Sequence, residues 1–460
     1  MPRPPRSRTR SSCLSAAGST DTLPGAANPL PSPSVIATDT ELRPDRGSRR
    51  LLICTQTPPR LDLRHGAKAT AQLLARLADR HEIGILSLRA TDEGPVDPVI
   101  ADRCALVEEI PLPRTSSREV TARSRARFAI GFLRGLPPWV LDCRSDAYAD
   151  RLRALAAAWQ PDIVEIHLMA MAQYVTALES CRAARILVDY DPPIAWAAEA
   201  VRQARGPRRL ARRAELATWR RYERSTRRRF DANVVFADLD VAAAAATAGG
   251  SAVVRIPLAY DVPEKPLDPI GQPPPTVLFV GGFRHSPNVD AARWLVGSIF
   301  PRVLERVPDA RLELVGDRPG EEVQRLAAGP VTVHGSVPDV TPYLDRAAVV
   351  VAPIRLGGSM RGKVLEALVT GKALVATPRA AEGVDAAPGE HFILAATEDE
   401  IVDALSELLV NSGRRHDLAR RARAWASQRL TWDRPLAAFE QLYAEMSPRE
   451  SARRDSSREP

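Results

Sequence analysis

The chain is poor in cysteine, and what it has is scattered: the five, at 13, 54, 104, 143 and 181, show no paired spacing. That excludes a disulfide scaffold and points to a reducing compartment. No apolar run approaches the roughly 20 residues of a membrane-spanning helix. The first 49 residues lack the apolar core of a secretory signal. No His/Cys cluster has metal-ligand spacing and no Asp-x-Asp pair falls in a glycine-rich loop, so no metal site is expected. Aromatic residues make up only 5% of the chain. No stacking-aromatic or groove-reading motif accompanies its basic segments, so no nucleic-acid partner is expected.

What is present suffices for two domains. The 460 residues are 45% hydrophobic, enough to fill two cores. The proline-rich stretch YDVPEKPLDPIGQPPP, residues 260–275, reads as an extended linker between a domain over 50–259 and another over 276–424. Residues 1–49 are rich in Pro, Ser and Arg and 447–460 are polar and charged, so both ends are expected to be disordered tails.

The C-terminal half carries the clearest chemistry. Strand-like runs recur at 276–280, 311–315, 331–334, 349–351 and 374–377, mostly separated by helical segments, which describes βα units on a parallel sheet. The first runs straight into Gly281 and Gly282, followed by Ser286 as a candidate N-cap, Pro287 at the first helical position and an apolar series Ala291, Trp294, Leu295, Ile299. After 349–351, Gly357 and Gly358 open a loop in which backbone N–H groups can turn toward a ligand. The helix 363–370, closed by Gly371, puts Arg361 and Lys363 at its positive, donor-rich start, where a diphosphate would sit.

The order FVGGFRHSPNVDAARWL, RLELVGD, VTVHGSVPDVTPYLDRAAVVVAPIRLGGSMRGKVLEALVTGKALVATPRAAEGVD, GEHFILA and LTWDRPLAAFEQLY resembles the nucleotide-sugar half of glycosyltransferase family 4. The similarity is strongest to sugar transferases of bacterial envelope and exopolysaccharide systems. It implies an α/β GT-B fold, two Rossmann-like domains facing a cleft, and a retaining, metal-independent transferase without a cofactor, the nucleotide sugar being a substrate. It also implies that the segment 425–446 crosses back onto the N-terminal domain, for which Leu436, Phe439, Leu442 and Tyr443 supply an apolar face.

The resemblance gives roles to particular residues. Glu366 matches the carboxylate that accepts hydrogen bonds from the nucleotide ribose, and Val337 and Asp339 match the segment bordering the base. Gly281, Gly282, Arg284, Gly357, Gly358, Ser359, Met360, Arg361, Gly362, Lys363 and Val364 fall in or beside the diphosphate loops. In the N-terminal half, Gly66 occupies the place of the glycine loop that approaches the transferring sugar. His167, at the end of the strand in PDIVEIHLMAMAQY, matches a sugar-contacting His, with Glu165 and Asp189 as rivals. Two departures stand out. Gly358 replaces the family's first Glu, and Pro287 and Asn288 stand where a Lys is usual, so Arg284 or Arg361 is the expected source of charge. These departures keep a non-catalytic nucleotide-sugar-binding scaffold and a nucleotide-sugar epimerase open as alternatives.

Charge is concentrated. Residues 202–229 hold twelve Arg against Glu215 and Glu223. Leu216, Trp219, Tyr222, Thr226 and Phe230 run at helical spacing through them, a face that can pack or touch lipid. The expected partners are therefore a nucleotide-sugar donor, a glycan or lipid-linked acceptor and an anionic membrane surface met through 202–229. The expected location is the cytoplasm, peripheral at the inner face of the plasma membrane.

Overall fold

A computed structural model describes residues 35–36, 47–61, 66–91, 93–112, 131, 135–190, 192–283, 285–356, 362–447 and 449. The two expected tails, apart from a few residues, and the loop 357–361 lie outside the described residues.

The N-terminal half forms one parallel eight-stranded sheet in the order β1-β8-β7-β6-β5-β2-β3-β4. Its strands are β1 (Val35–Ile36), β2 (Arg50–Thr55), β3 (Glu82–Ala90), β4 (Leu106–Leu112), β5 (Ile163–His167), β6 (Ala184–Val188), β7 (Ala232–Val235) and β8 (Ala252–Arg255). Helices α1 (Gly66–Leu77), α2 (Pro98–Ala101), α3 (Pro138–Asp142), α4 (Asp146–Trp159), α5 (Pro193–Gln203), α6 (Pro207–Thr226) and α7 (Asp238–Ala248) fill the connections. Both faces of the sheet are covered at its centre: β5 and β6 are buried at every residue, including the polar Glu165, His167 and Arg185.

The C-terminal half forms a second parallel sheet, of six strands, in the order β11-β10-β9-β12-β13-β14. It comprises β9 (Thr276–Val280), β10 (Arg311–Val315), β11 (Val331–His334), β12 (Val349–Ala352), β13 (Leu374–Ala376) and β14 (Ile393–Leu394). Its helices are α8 (Ser286–Trp294), α9 (Phe300–Arg306), α10 (Glu321–Gln324), α11 (Thr341–Arg346), α12 (Gly362–Thr370), α13 (Glu398–Val410) and α14 (Ser412–Arg429). The strand order reverses direction around β9, with β10 on one side and β12 on the other, which opens a crevice at the carboxyl ends of those two strands.

The last helix, α15 (Asp433–Glu445), leaves the C-terminal domain. Its Ala438, Phe439, Leu442 and Tyr443 are buried with Leu51, Ile53, Ile163 and Ile186 of the N-terminal sheet. The preceding α14 belongs to the C-terminal core through Leu418, Ala422 and Ala426, so the chain crosses between domains at residues 430–432.

The proline-rich stretch does not hang between the domains as a free tether. Lys372, wholly buried, donates from Nζ to the carbonyls of Asp268 and Asp345. Arg415 donates to Ile270 O (2.9 Å) and Arg423 to Pro263 O. Gly271, at φ 78°, lies where a Cβ would stand 2.4 Å from Ala347 O, so only glycine fits the close approach. From Pro263 onward the stretch is stitched to the C-terminal domain.

The arginine-rich helix differs from one expectation. Its face of Leu216, Trp219, Tyr222 and Thr226 is buried in the N-terminal domain, with Leu216, Trp219 and Tyr222 in the apolar core, so that face is not available to lipid. Arg227 is also interior: it bonds Asp189 and Glu223 (3.1 Å to the latter) and leaves the surface charge to the remaining arginines. Burial pushes the Glu223 carboxyl up to about 6 despite Arg227 beside it. Among the described residues no helix is long and apolar enough to cross a membrane, and no three His, Cys, Asp or Glu side chains are grouped to hold a metal ion.

Candidate functional site

Two glycine strand ends meet at the reversal point of the C-terminal sheet. Val280 of β9 is in register with Val315 of β10, so Gly281 and Gly316 are the next pair along. A Cβ on Gly316 would lie 1.8 Å from Gly281 O, and one on Gly281 would lie 2.9 Å from Asn288 Cγ. These positions need glycine for contact reasons, whereas a Cβ on Gly282 would meet nothing within 4 Å. The turn is held by Gly281 N–H donating to Val315 O (2.9 Å), Phe283 N–H to Asp317 O (2.9 Å) and Asn288 Nδ2 to Gly282 O (2.7 Å).

Asn288 is a buried amide that braces the loop, and its Oδ1 has no partner among the described residues. Helix α8 begins at Ser286, one residue earlier than expected, with His285 as the N-cap and no side-chain cap bond. Desolvation by the surrounding loop lowers the His285 pKa although the side chain reaches the surface, and the positive charge of Lys363 lowers it further. Lys363 is buried in the first turn of α12, which follows β12, the strand paired with β9, so its positive charge lies near the first glycine loop. Arg284 and Arg361, the two expected to supply it, lie outside the described residues, as do Gly357, Gly358, Ser359 and Met360.

Gly362 and Val364 flank Lys363 at the start of α12, whose dipole adds positive potential there. Gly371 closes this helix at φ 72°. Glu366, half-buried one turn on, lies near Tyr260: burial raises the Tyr260 pKa and the Glu366 charge adds to it. Val337 packs at the edge of the core beyond β11, and Asp339 Oδ1 accepts from Thr341 N–H (2.8 Å) at the start of α11.

In the N-terminal domain His167 ends β5, 2% exposed, with Leu168 after it held at φ 76°, a conformation that non-glycine residues adopt at a cost. His167 Nε2 lies 3.1 Å from Glu165 Oε2, and Glu165 Oε1 accepts from Tyr443 Oη (2.8 Å) of the crossing helix α15. The remaining ring nitrogen, Nδ1, is buried without a partner. Tyr190 stands 5.8 Å from the imidazole, centroid to centroid, and its hydroxyl is 3.4 Å from Thr70 Oγ1, one turn into the helix that Gly66 begins. His167 and the start of α1 are thereby tied together. Asp189 is committed instead to buried Arg227.

The sequence assigns no site role to Gly316, His285 or Tyr260, places Tyr443 only on the docking face of its helix, and gives Asn288 only the place of a missing lysine. Gly316 carried a signal, a glycine directly after a strand that neighbours the Gly-Gly strand. Tyr443 was visible only as one apolar position of a helix.

The two domains also touch through charge. Arg379 Nη2 lies 3.5 Å from Glu199 of α5, and Arg255 Nη2 lies 3.8 Å from Asp385.

Residues 274–411 match a family model described as glycosyl transferases group 1. No curated protein sequence is significantly similar to the chain. Among solved structures, a sucrose-phosphate synthase from Thermosynechococcus elongatus superposes with a TM-score of 0.62 at 15% identity, over 86% of this chain and 98% of that one. HepE from Anabaena, in complex with UDP and glucose, gives 0.58 at 13% identity, over 86% and 100%. WaaG, a glycosyltransferase involved in lipopolysaccharide biosynthesis, gives 0.57 at 14%, over 85% and 98%. With its two parallel Rossmann-like sheets, the fold is GT-B.

Proposed function

We propose that this chain is a retaining, metal-independent glycosyltransferase that moves a sugar from a nucleotide-sugar donor to an envelope glycan or lipid-linked acceptor. The observation that carries this reading is the convergence of the Gly281 loop, His285, buried Lys363 and the start of α12 at the reversal point of the C-terminal sheet, inside the segment that matches the group 1 family model. HepE, with UDP and glucose, and WaaG, in lipopolysaccharide biosynthesis, share the fold and lend the donor and acceptor classes their plausibility.

In this reading negative charge builds on the departing diphosphate as the bond from the anomeric carbon to its oxygen breaks, and stabilising that charge is the main work of the protein. Lys363 and the first amides of α12 would do so, with the loop 357–361 completing the cradle. Glu366 would accept from the ribose hydroxyls, and Val337 and Asp339 would border the base. The acceptor oxygen would bond to the anomeric carbon on the face the diphosphate leaves, giving its proton to a leaving phosphate oxygen. His167 and the backbone at Gly66 would contact the sugar. The work would be done in the cytoplasm at the inner face of the membrane.

The test is incubation of the full chain with UDP- and GDP-sugars and membrane extract. Acceptor-dependent release of nucleoside diphosphate and retention of the donor anomer are expected. An inverted product would reject the mechanism, and failure of both UDP and GDP to bind would reject the function.

A further inference from the structure

Outside the crevice just described, the strongest concentration of uncommitted charge lies along α6. A cavity of about 790 Å³ is lined there by Arg213, Arg220, Arg221, Arg224 and Arg228, with Val201 of α5 on its opposite wall and Leu216 and Ala217 among its apolar lining. All five arginines are exposed. Among the described residues none has a carboxylate within ion-pair distance and no acidic side chain lines the cavity. The nearby acids are engaged elsewhere: Glu215 with Arg212, Glu223 with Arg227, and Glu199 with Arg202 and Arg379.

The spacing of the charges restricts what would lie against them. Arg213, Arg220 and Arg224 fall on one side of α6 and extend over roughly 16 Å of its axis, the last two about one turn, ~6 Å, apart, and Arg228 follows in the short 3₁₀ turn Arg227–Arg229 beyond its end. A single phosphate would meet only one or two of these guanidiniums, whereas an extended chain with repeated negative groups would meet them all, and one turn is about the length of a pyranose unit. A bilayer fits less well, because the apolar face of α6 is committed to the core and the arginines line a concavity. Nucleic acid fits less well too, because among the described residues no aromatic side chain lines the cavity for bases to stack on.

We propose that this groove binds an acidic glycan, a chain carrying carboxylate or phosphate groups on successive sugars. The choice of a glycan rests on the transferase reading above, with the groove holding part of the acceptor outside the crevice.

The test uses the full chain and fluorescence anisotropy with a labelled oligogalacturonate, a neutral malto-oligosaccharide of equal length, a single-stranded oligonucleotide and phosphatidylglycerol vesicles. The acidic oligosaccharide is expected to bind and the neutral one not, with affinity falling steeply between about 50 and 200 mM salt. Arg220→Gln with Arg224→Gln should weaken that binding about tenfold or more and leave UDP affinity unchanged. The proposal is overturned if the oligogalacturonate does not bind, if the double variant binds it as well as the parent, or if the substitutions weaken only vesicle or oligonucleotide binding. The measurement needs no donor, so failure of both UDP and GDP to bind counts against the transferase reading and failure of the acidic glycan against this one.

Discussion

Replacing Gly316 by alanine tests whether the donor crevice depends on two glycine strand ends lying against each other. The added Cβ would be placed 1.8 Å from Gly281 O, about 1.5 Å short of an ordinary carbon–oxygen contact of roughly 3.3 Å. The carbonyl is backbone and cannot swing away alone. Relief of the overlap must separate the two strand ends, and the bonds Gly281 N–H to Val315 O and Phe283 N–H to Asp317 O, each 2.9 Å, stretch beyond hydrogen-bond range. Overpacking costs about 1–3 kcal/mol and each lost bond about 0.5–1.5 kcal/mol. The expected destabilisation is therefore roughly 2–6 kcal/mol, or about 4–24 °C in the melting of a domain of this size. The displaced loop carries Asn288 and borders His285, so UDP affinity should fall by about tenfold or more in molecules that remain folded. Gly282→Ala is the control, because a Cβ there meets nothing within 4 Å, and its stability should lie within about 0.5 kcal/mol of the parent. Differential scanning calorimetry and titration calorimetry with UDP read both quantities. If Gly316→Ala melts within 1–2 °C of the parent, roughly, and binds UDP within about twofold, the contact argument for this crevice is wrong.

Tyr443→Phe removes the hydroxyl that donates to Glu165 Oε1 and leaves that buried oxygen unpaired. A loss of about 1–3 kcal/mol is expected in urea denaturation, together with reduced turnover if the pair holds His167; unchanged stability would show that the bond does not form. Because His285 is depressed by desolvation and by Lys363, a bound diphosphate should raise its pKa, so UDP binding takes up protons and affinity increases as pH falls through the titration of His285. Titration calorimetry in buffers of different ionisation enthalpy would detect this uptake, and His285→Gln should abolish it; equal uptake in parent and variant would reject the assignment. Lys372, lowered to about 8 by burial, is neutral in the folded chain and still protonated in the unfolded one between about pH 8 and 10.5. The unfolded state then binds more protons, so stability rises with pH across that window. Relative to Lys372→Met, the parent should gain about 2 kcal/mol between pH 7.5 and 9.5; a pH-independent difference would mean that the amine is not buried in the charged form.

Much of the architecture was legible in local pattern. The runs at 276–280, 311–315 and 331–334 are the strands β9, β10 and β11 at the same boundaries, because TVLFV is a near-continuous apolar run and RLELV and VTVH alternate apolar with polar residues, the two patterns that mark fully and partly buried strands. Gly371 ended its helix where a left-handed residue was needed. Partnership was not legible. Trp219 and its helical neighbours read equally well as a core face or a lipid face, since periodicity reports that a face is apolar and not what covers it. Arg227 counted with the surface charge until Asp189 and Glu223, the former 38 residues away in sequence, were seen to enclose it. Tyr443 and Glu165 are 278 residues apart, and nothing local to either announces the bond.

The two chain crossings between domains bear on how the crevice could close. Tyr260 N–H donates to Leu430 O (2.9 Å), so the outgoing and returning strands of chain run side by side. Asp261 is gripped from the N-terminal domain by Gln72 Nε2 (2.5 Å) and Arg76 Nη2 (2.6 Å), and also accepts from Trp432 Nε1 (2.8 Å). Beyond Pro263 the first crossing is held by Arg423, Lys372 and Arg415 of the C-terminal domain. Beyond Trp432 the second is held by the core of the N-terminal domain through α15. Rotation of one domain against the other is thereby confined to a few residues on each crossing, near 261–263 and 430–432. Tyr260, which senses Glu366 in the donor half, sits directly beside that pivot. Since α15 also supplies Tyr443 to Glu165 and hence to His167, the returning crossing anchors the candidate sugar-contacting residue to the same narrow hinge.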